Sequence, residues 1–271
     1  GPKVIKKNTY AYGKSTLTQE VVLTYGSKRI DFNTVVDWKE DNKMLRSIFS
    51  VNAYSDQVTC DIQFGNIKRP THQNTSWDMA KYEICAHKWV DISQGDYGVA
   101  LLNDCKYGHK VWENNISINL LRSPGYPDPE ADRAVHEFTY SLYPHVGNYE
   151  EGNVVREGYE LNIPFRVIKG KTGTEKPELK EAHSFITIDN DSVVVESIKK
   201  AEDDNDVIIR LYECHGKAVS AKLNFGFQID DVELVDLMEQ KLDDEKWDKD
   251  TKVLKFNPFE INTIKIRCKQ I

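Results

Sequence analysis

Three segments of this 271-residue chain concentrate side chains able to bind or turn over a polar ligand. The first runs from Asp61 to Asp78, D-I-Q-F-G-N-I-K-R-P-T-H-Q-N-T-S-W-D. In it Arg69, His72, Asn74 and Asp78 alternate with turn formers, and Trp77 offers an apolar face on which a pyranose ring can stack. A purely structural account of the same residues makes Arg69 and Asp78 an ion pair bracing a long loop and Trp77 a core residue. The second segment, L-L-N-D-C-K-Y-G-H from Leu101 to His109, sets Asp104, Lys106 and Tyr107 just past an apolar run. Strand ends present side chains to clefts, and an ordinary hairpin with solvated charges would look the same. The third, Leu120 to Phe138, holds three prolines with Arg122, Asp128, Asp132 and His136. Asp128 also fits a helix cap, and His136 a core histidine.

No complete catalytic constellation can be read from these residues. A glycosidase needs two carboxylates at a defined separation, and a metalloenzyme needs ligands at fixed spacing. The sequence contains no H-E-x-x-H, H-x-D, C-x-x-C, G-x-S-x-G, P-loop or G-x-G-x-x-G, and its seven histidines are dispersed. No catalytic residue, metal ligand or cofactor is therefore assigned within the chain.

The elements that must position these segments are strands. Ile30, Phe32, Thr34, Val36 and Trp38 alternate with polar residues, as do Val58, Cys60, Ile62 and Phe64, then Ile116, Ile118 and Leu120, then Phe138, Tyr140 and Leu142, then Tyr159, Leu161, Ile163 and Phe165. Trp77 to Trp89 fits either period and is read as strand, while Asp128 to Asp132 suits one or two helical turns. From Lys169 to Ala182 the chain turns polar, which predicts a linker at 169–182 between a unit at 1–168 and one at 183–271. Beyond it, strands are predicted at Phe185 to Ile188, Val193 to Ile198, Val207 to Glu213, Val219 to Phe227 and Ile261 to Arg267, the spacing of a small β-sandwich. The fold class is all-β.

A net charge of -7, with acidic runs and no basic block, argues against nucleic acid as partner. No run of 18 apolar residues is present, so no membrane span is expected, and a cytoplasmic location is the expectation. Gly1-Pro2 resembles the remnant of a cleaved tag, so the amino terminus says nothing about targeting. Five scattered cysteines read as reduced, buried thiols.

Together, R-P-T-H-Q-N-T-S-W-D, Y-G-V-A-L-L-N-D-C-K-Y-G, L-L-R-S-P-G-Y-P-D-P-E-A-D and H-E-F-T-Y-S-L-Y-P-H closely resemble the carboxyl-terminal half of glycoside hydrolase family 38 α-mannosidases, nearest the bacterial and cytosolic branch. The likeness continues through S-F-I-T-I-D-N-D-S-V-V-V-E-S-I-K-K-A-E, V-I-I-R-L-Y-E and N-P-F-E-I-N-T-I-K-I. The resemblance implies a large galactose-mutarotase-like sandwich followed by a smaller β-sandwich. It also implies an aspartate nucleophile and a zinc ion in an α/β domain of the same polypeptide, upstream of these residues. The chain would then be a non-catalytic portion that packs on the catalytic domain, helps shape a pocket for an α-mannoside or oligosaccharide, and takes part in a homo-oligomer. Asp104, Lys106 and Tyr107 are the first candidates for the pocket wall, with Arg69, His72, Asn74 and Asp78 second. The alternatives are a stand-alone carbohydrate-binding module, suggested by Trp77, Trp89 and Tyr107, and a mutarotase-like enzyme. For the last, His136 and Glu137 are a poor acid-base pair, because strand neighbours point to opposite faces.

Overall fold

The computed structural model describes residues 1–170, 181–243 and 245–268. The chain divides into two compact units, Gly1–Phe165 and Arg166–Ile271. Of the linker expected at 169–182, residues 171–180 lie outside the described residues.

The first unit contains β1 (Lys3–Tyr12), β2 (Ser15–Thr24), β3 (Ile30–Asp37), β4 (Leu45–Ser50), β5 (Gln57–Ile62), β6 (Gly65–Pro70), α1 (Ser76–Ala80), β7 (Ile84–Cys85), β8 (Trp89–Ser93), β9 (Tyr97–Asn103), β10 (Gly108–Trp112), β11 (Asn115–Leu121), β12 (Val135–Val146) and α2 (Val154–Asn162). Eight strands form one antiparallel sheet in the order β1-β2-β3-β12-β9-β8-β5-β6, and four form another in the order β4-β11-β10-β7. Between the sheets, period-two alternation does what it must: Val36, Cys60, Ile92, Leu101, Ile118 and Phe138 all join one buried cluster. β8 is buried on both faces. Val90 and Ile92 enter that cluster, while Trp89 stacks on Tyr149 at 5.4 Å and Asp91 bonds the buried His145 at 2.7 Å.

Four local expectations fail for identifiable reasons. The alternation from Tyr159 to Phe165 is helix α2 up to Asn162, and Phe165 is fully exposed. Val154, Val155 and Gly158 are the buried positions of α2, a helical spacing, and Pro164 disfavours helical backbone in the residue before it. The segment read as strand from Trp77 begins as α1, because Thr75 and Asp78 form a reciprocal capping box: Thr75 Oγ1 accepts from the Asp78 N–H at 3.1 Å, and Asp78 Oδ2 accepts from the Thr75 N–H at 3.2 Å. Only β7 and the start of β8 keep the strand reading. At Asp128 to Asp132 the chain makes consecutive turns in place of a helix. Asp128 caps the first by accepting from the Glu130 N–H at 2.9 Å, and Asp132 adopts a left-handed φ of 63°. Phe64, predicted in strand, has a φ of 54° in the tight β5–β6 turn.

The second unit contains β13 (Ile186–Ile188), β14 (Val193–Lys200), β15 (Val207–Glu213), β16 (Val219–Phe225), β17 (Ile229–Val235), β18 (Trp247–Asp248), β19 (Val253–Phe256) and β20 (Ile261–Cys268). Two four-stranded sheets, β13-β16-β19-β18 and β14-β15-β20-β17, enclose Ile209, Leu211, Leu223, Leu254, Ile264 and Ile266. Among the described residues its one fully buried carboxylate, Glu213, is satisfied by backbone donors: the N–H groups of His215, Gly216, Lys217 and Phe259 lie 2.8–3.1 Å from its oxygens. This ties the turn after β15 to the turn before β20. Among the described residues no helix is long and apolar enough to cross a membrane.

Candidate functional site

The segment from Thr71 to Glu83 bridges two sheet edges. β6 is the last strand of the eight-stranded sheet and β7 the last of the four-stranded sheet. The chain crosses between them through α1, and a cavity of about 120 Å3 opens there. Its wall includes Arg69 from β6, His72 and Asp78 from the crossing segment, Tyr82 and Glu83 ahead of β7, and Lys110 from β10. Three residues singled out from the sequence are thus brought together.

Their contacts differ from the bracing pair that the sequence allowed. Arg69 donates from an η nitrogen to the Cys85 carbonyl at 3.3 Å, and its side chain also meets the buried Cys60 thiol. Asp78 is engaged by Thr75 and lies 3.6 Å from His72 Nδ1. Hydrogen bonding from the Thr75 side chain is the main reason the Asp78 carboxyl sits below the usual carboxylate range, with its backbone N–H and His72 adding to it. Glu83 is paired with Arg46 and accepts from Asn119 Nδ2 at 2.9 Å. Trp77 is 79% exposed and belongs to no core. Asn74 lines a neighbouring, wider hollow of about 580 Å3 with Tyr54, Gln94 and Glu113, and His72 borders both.

Asp104, Lys106 and Tyr107 line neither cavity. Asp104 is a brace: its Oδ2 accepts from the Thr139 N–H at 2.8 Å, and its own N–H donates to the Thr139 carbonyl at 3.1 Å. The Lys106 ammonium lies 4.7 Å above the Phe138 ring. Tyr107 is half exposed and meets His87 edge-on. The fully buried Asn103, passed over in the sequence, organises the bend by donating to the His87 carbonyl and accepting from the Lys106 N–H, both at 2.7 Å. The proline-rich loop is also self-braced. Burial pushes the Asp132 carboxyl up, but the Arg122 and Ser123 N–H groups, both at 2.9 Å, outweigh it and hold it below the ordinary range.

Sequence reasoning missed Tyr82, Glu83 and Lys110. Nothing local to Lys110 reveals that the β6 and β7 edges end beside it. All five cysteines are free, but only Cys60 and Cys214 are buried; Cys85 and Cys105 are exposed. Burial pushes the Cys60 thiol up to about 12, so it is an inert packing group. Among the described residues no group of three or more His, Cys, Asp or Glu side chains is placed to hold a metal, so a zinc ion does not fit these residues.

Comparison with known proteins accounts for both units. The model of the glycosyl hydrolases family 38 C-terminal domain matches residues 4–130, and that of the family 38 C-terminal beta sandwich domain matches residues 192–264. Alpha-mannosidase 2C1 of Mus musculus is 40% identical over 92% of this chain, and alpha-mannosidase G of Dictyostelium discoideum 38% identical over 93%. The chain spans about a quarter of each of those proteins, 24% in both cases. An alpha-mannosidase from Enterococcus faecalis V583 shares the fold at a TM-score of 0.79 and 19% identity, covering 93% of this chain and 29% of that one. The chain therefore belongs to glycoside hydrolase family 38, as the carboxyl-terminal β-region of its α-mannosidases.

Proposed function

We propose that this chain is the non-catalytic carboxyl-terminal portion of a zinc-dependent, retaining α-mannosidase, packing on the catalytic domain of the same polypeptide and lending side chains to one wall of the mannoside pocket. The observation that carries the reading is the match of two family 38 carboxyl-terminal models to the two units, in a chain a quarter the length of its mannosidase relatives. On this reading the nucleophile and zinc belong to the catalytic domain. The β-region supplies scaffold and polar contacts, with Arg69, His72 and Asp78 better placed for a ligand than Asp104, which is tied to β12. Five free cysteines suit a reducing cytoplasm.

The test is turnover of an aryl α-mannoside. The chain alone, stripped of zinc, is expected to be inactive, and activity is expected to appear when a family 38 catalytic region is supplied with it. Hydrolysis by the zinc-free chain alone would sink the proposal. A free-standing carbohydrate-binding module is the second reading, favoured by the exposed Trp77. It requires saturable binding of a neutral mannoside by this chain without a partner.

A further inference from the structure

The wider hollow, of about 580 Å3, lies where four connections of the first unit meet: β4 to β5, β6 to α1, the β8–β9 turn and the β10–β11 turn. Hydrogen bonds tie these connections to one another. The Thr71 N–H donates to the Asp56 carbonyl at 3.0 Å, and its Oγ1 donates to the Ser55 carbonyl at 2.7 Å. The Glu113 N–H donates to the Thr71 carbonyl at 2.7 Å, and the Tyr54 N–H to Gln94 Oε1 at 2.9 Å. The walls are therefore set before any ligand arrives, which lowers the ordering cost of binding. From the turn that holds Gln94, β9 runs seven residues, about 20 Å, to the bend with Asp104, Lys106 and Tyr107. The hollow and that bend lie at opposite ends of one strand. Asn52, Tyr54, Asp56, Asn74 and Glu113 all line the hollow, and among the described residues none of their side chains makes a hydrogen bond or an ion pair. Tyr54 is 89% exposed at its rim.

We propose that this hollow is a binding site for a neutral saccharide, with Tyr54 as the plane on which one ring lies and Asn52, Asp56, Asn74 and Glu113 as partners for its hydroxyl groups. The lining residues select that class. No lysine or arginine is among the described residues of the wall, while Asp56 and Glu113 are, so an anionic ligand meets like charge and no counter-charge. A metal ion finds too few ligands, since among the described residues no group of three His, Cys, Asp or Glu side chains is placed to hold one. A peptide side chain in need of apolar cover finds only Ala53 and the Tyr54 ring. A sugar hydroxyl both donates and accepts: carboxylate and amide oxygens take its hydrogen, and the amide NH2 groups of Asn52 and Asn74 supply theirs. The choice of mannose as the sugar rests on the α-mannosidase reading. The site itself goes beyond that reading, because it gives this chain a sugar contact that needs no catalytic domain.

Isothermal titration of the 271-residue chain with an α-linked mannotriose tests the site. Saturable binding is expected, with an affinity that does not change as salt rises, because the ligand carries no charge. Tyr54→Ala and Asn74→Ala are each expected to lower that affinity about tenfold, through loss of the stacking plane in one and of a hydroxyl partner in the other. Both side chains are exposed, so a circular dichroism melt matching the parent's is expected of each variant. Trp77→Ala, which alters the exposed aromatic group of α1 outside the hollow, is expected to leave binding unchanged. Absence of binding at millimolar mannotriose would overturn the proposal. So would binding indifferent to both Tyr54→Ala and Asn74→Ala, and binding abolished by Trp77→Ala alone would place the sugar on α1 instead. None of these failures touches the α-mannosidase reading, which is decided by turnover once a catalytic region is supplied.

Discussion

His109 is fully buried in β10, opposite Ile118 on one side and Ile84 on the other. Its ring nitrogens have no well-formed hydrogen bond, only weak contacts with the Ser117 and Lys106 backbones. Burial pushes its pKa down to about 4 from an ordinary 6.5, against the weaker pull of the Ser117 and Lys106 backbones. The folded state therefore holds a neutral ring, while the unfolded chain takes up a proton below pH 6.5. Between those values the unfolded state binds more protons, so the His109 contribution to stability is complete above pH 6.5 and is lost as pH falls towards 4. A shift of this size corresponds to about 3 kcal/mol in all, and about 2 kcal/mol is gone by pH 5. His109→Leu removes the titration and the two ring nitrogens that lack a well-formed partner. Urea melts at pH 7 and pH 5 are expected to show the variant losing about 2 kcal/mol less than the parent on acidification. Equal losses in the two proteins would refute the assignment.

The contact between α2 and β8 shows how one residue choice fixes an element. A Cβ built on Gly158 would stand 2.9 Å from Trp89 Cδ1, and the Trp89 ring is buried and stacked on Tyr149. In an isolated helix alanine is better than glycine by about 1 kcal/mol. Here the methyl group has nowhere to go, and overpacking of this kind costs about 1–3 kcal/mol. Gly158→Ala is expected to destabilise the first unit, read as a lower midpoint of thermal unfolding, despite its better helix propensity; a raised midpoint would mean that α2 yields at no cost. The same contact explains what the sequence concealed. Strands with one clean apolar face, such as β3 and β11, are legible from alternation alone. α2 is not, because Tyr159, Leu161, Ile163 and Phe165 mimic a strand while the residues that anchor it are two valines and a glycine. β17 and β19 were passed over, since Asp230, Asp231 and Glu233 surround Val232 and Leu234, and Leu254 and Phe256 sit among lysines. Thr75-x-x-Asp78 was a readable helix start that the competing strand period outweighed. The cavity itself lay beyond any local pattern, because the edges that enclose it are set by which strands end each sheet.

At the scale of the whole first unit, the eight-stranded sheet runs from a buried middle to an open margin. β9 and β12 pair with each other near the centre, and β9 is buried almost throughout. β1, at the margin, pairs only with β2 through ten successive residues and is exposed at every position but one. An antiparallel edge strand turns alternate N–H groups outward without partners, and those on its paired side are guarded by nothing more than the opening of one hairpin. Local opening free energies follow buried contact, so hydrogen exchange is expected to be fastest in β1 and slowest in β9. The hairpin also shows Val4, Tyr10, Tyr12, Leu23 and Tyr25 to solvent, beside Lys3, Lys6 and Lys7, whose charges oppose pairing between identical edges. If the proposed packing on a catalytic domain covers this margin, mass-spectrometric exchange of a full-length family member is expected to show β1 and β2 peptides gaining protection while β9 peptides stay unchanged. Equal exchange of β1 in the 271-residue chain and in the longer protein would remove the hairpin from that interface, and the domain contact would then have to be sought along the β6 and β7 margin, where Tyr82 and Trp77 are the exposed aromatic groups.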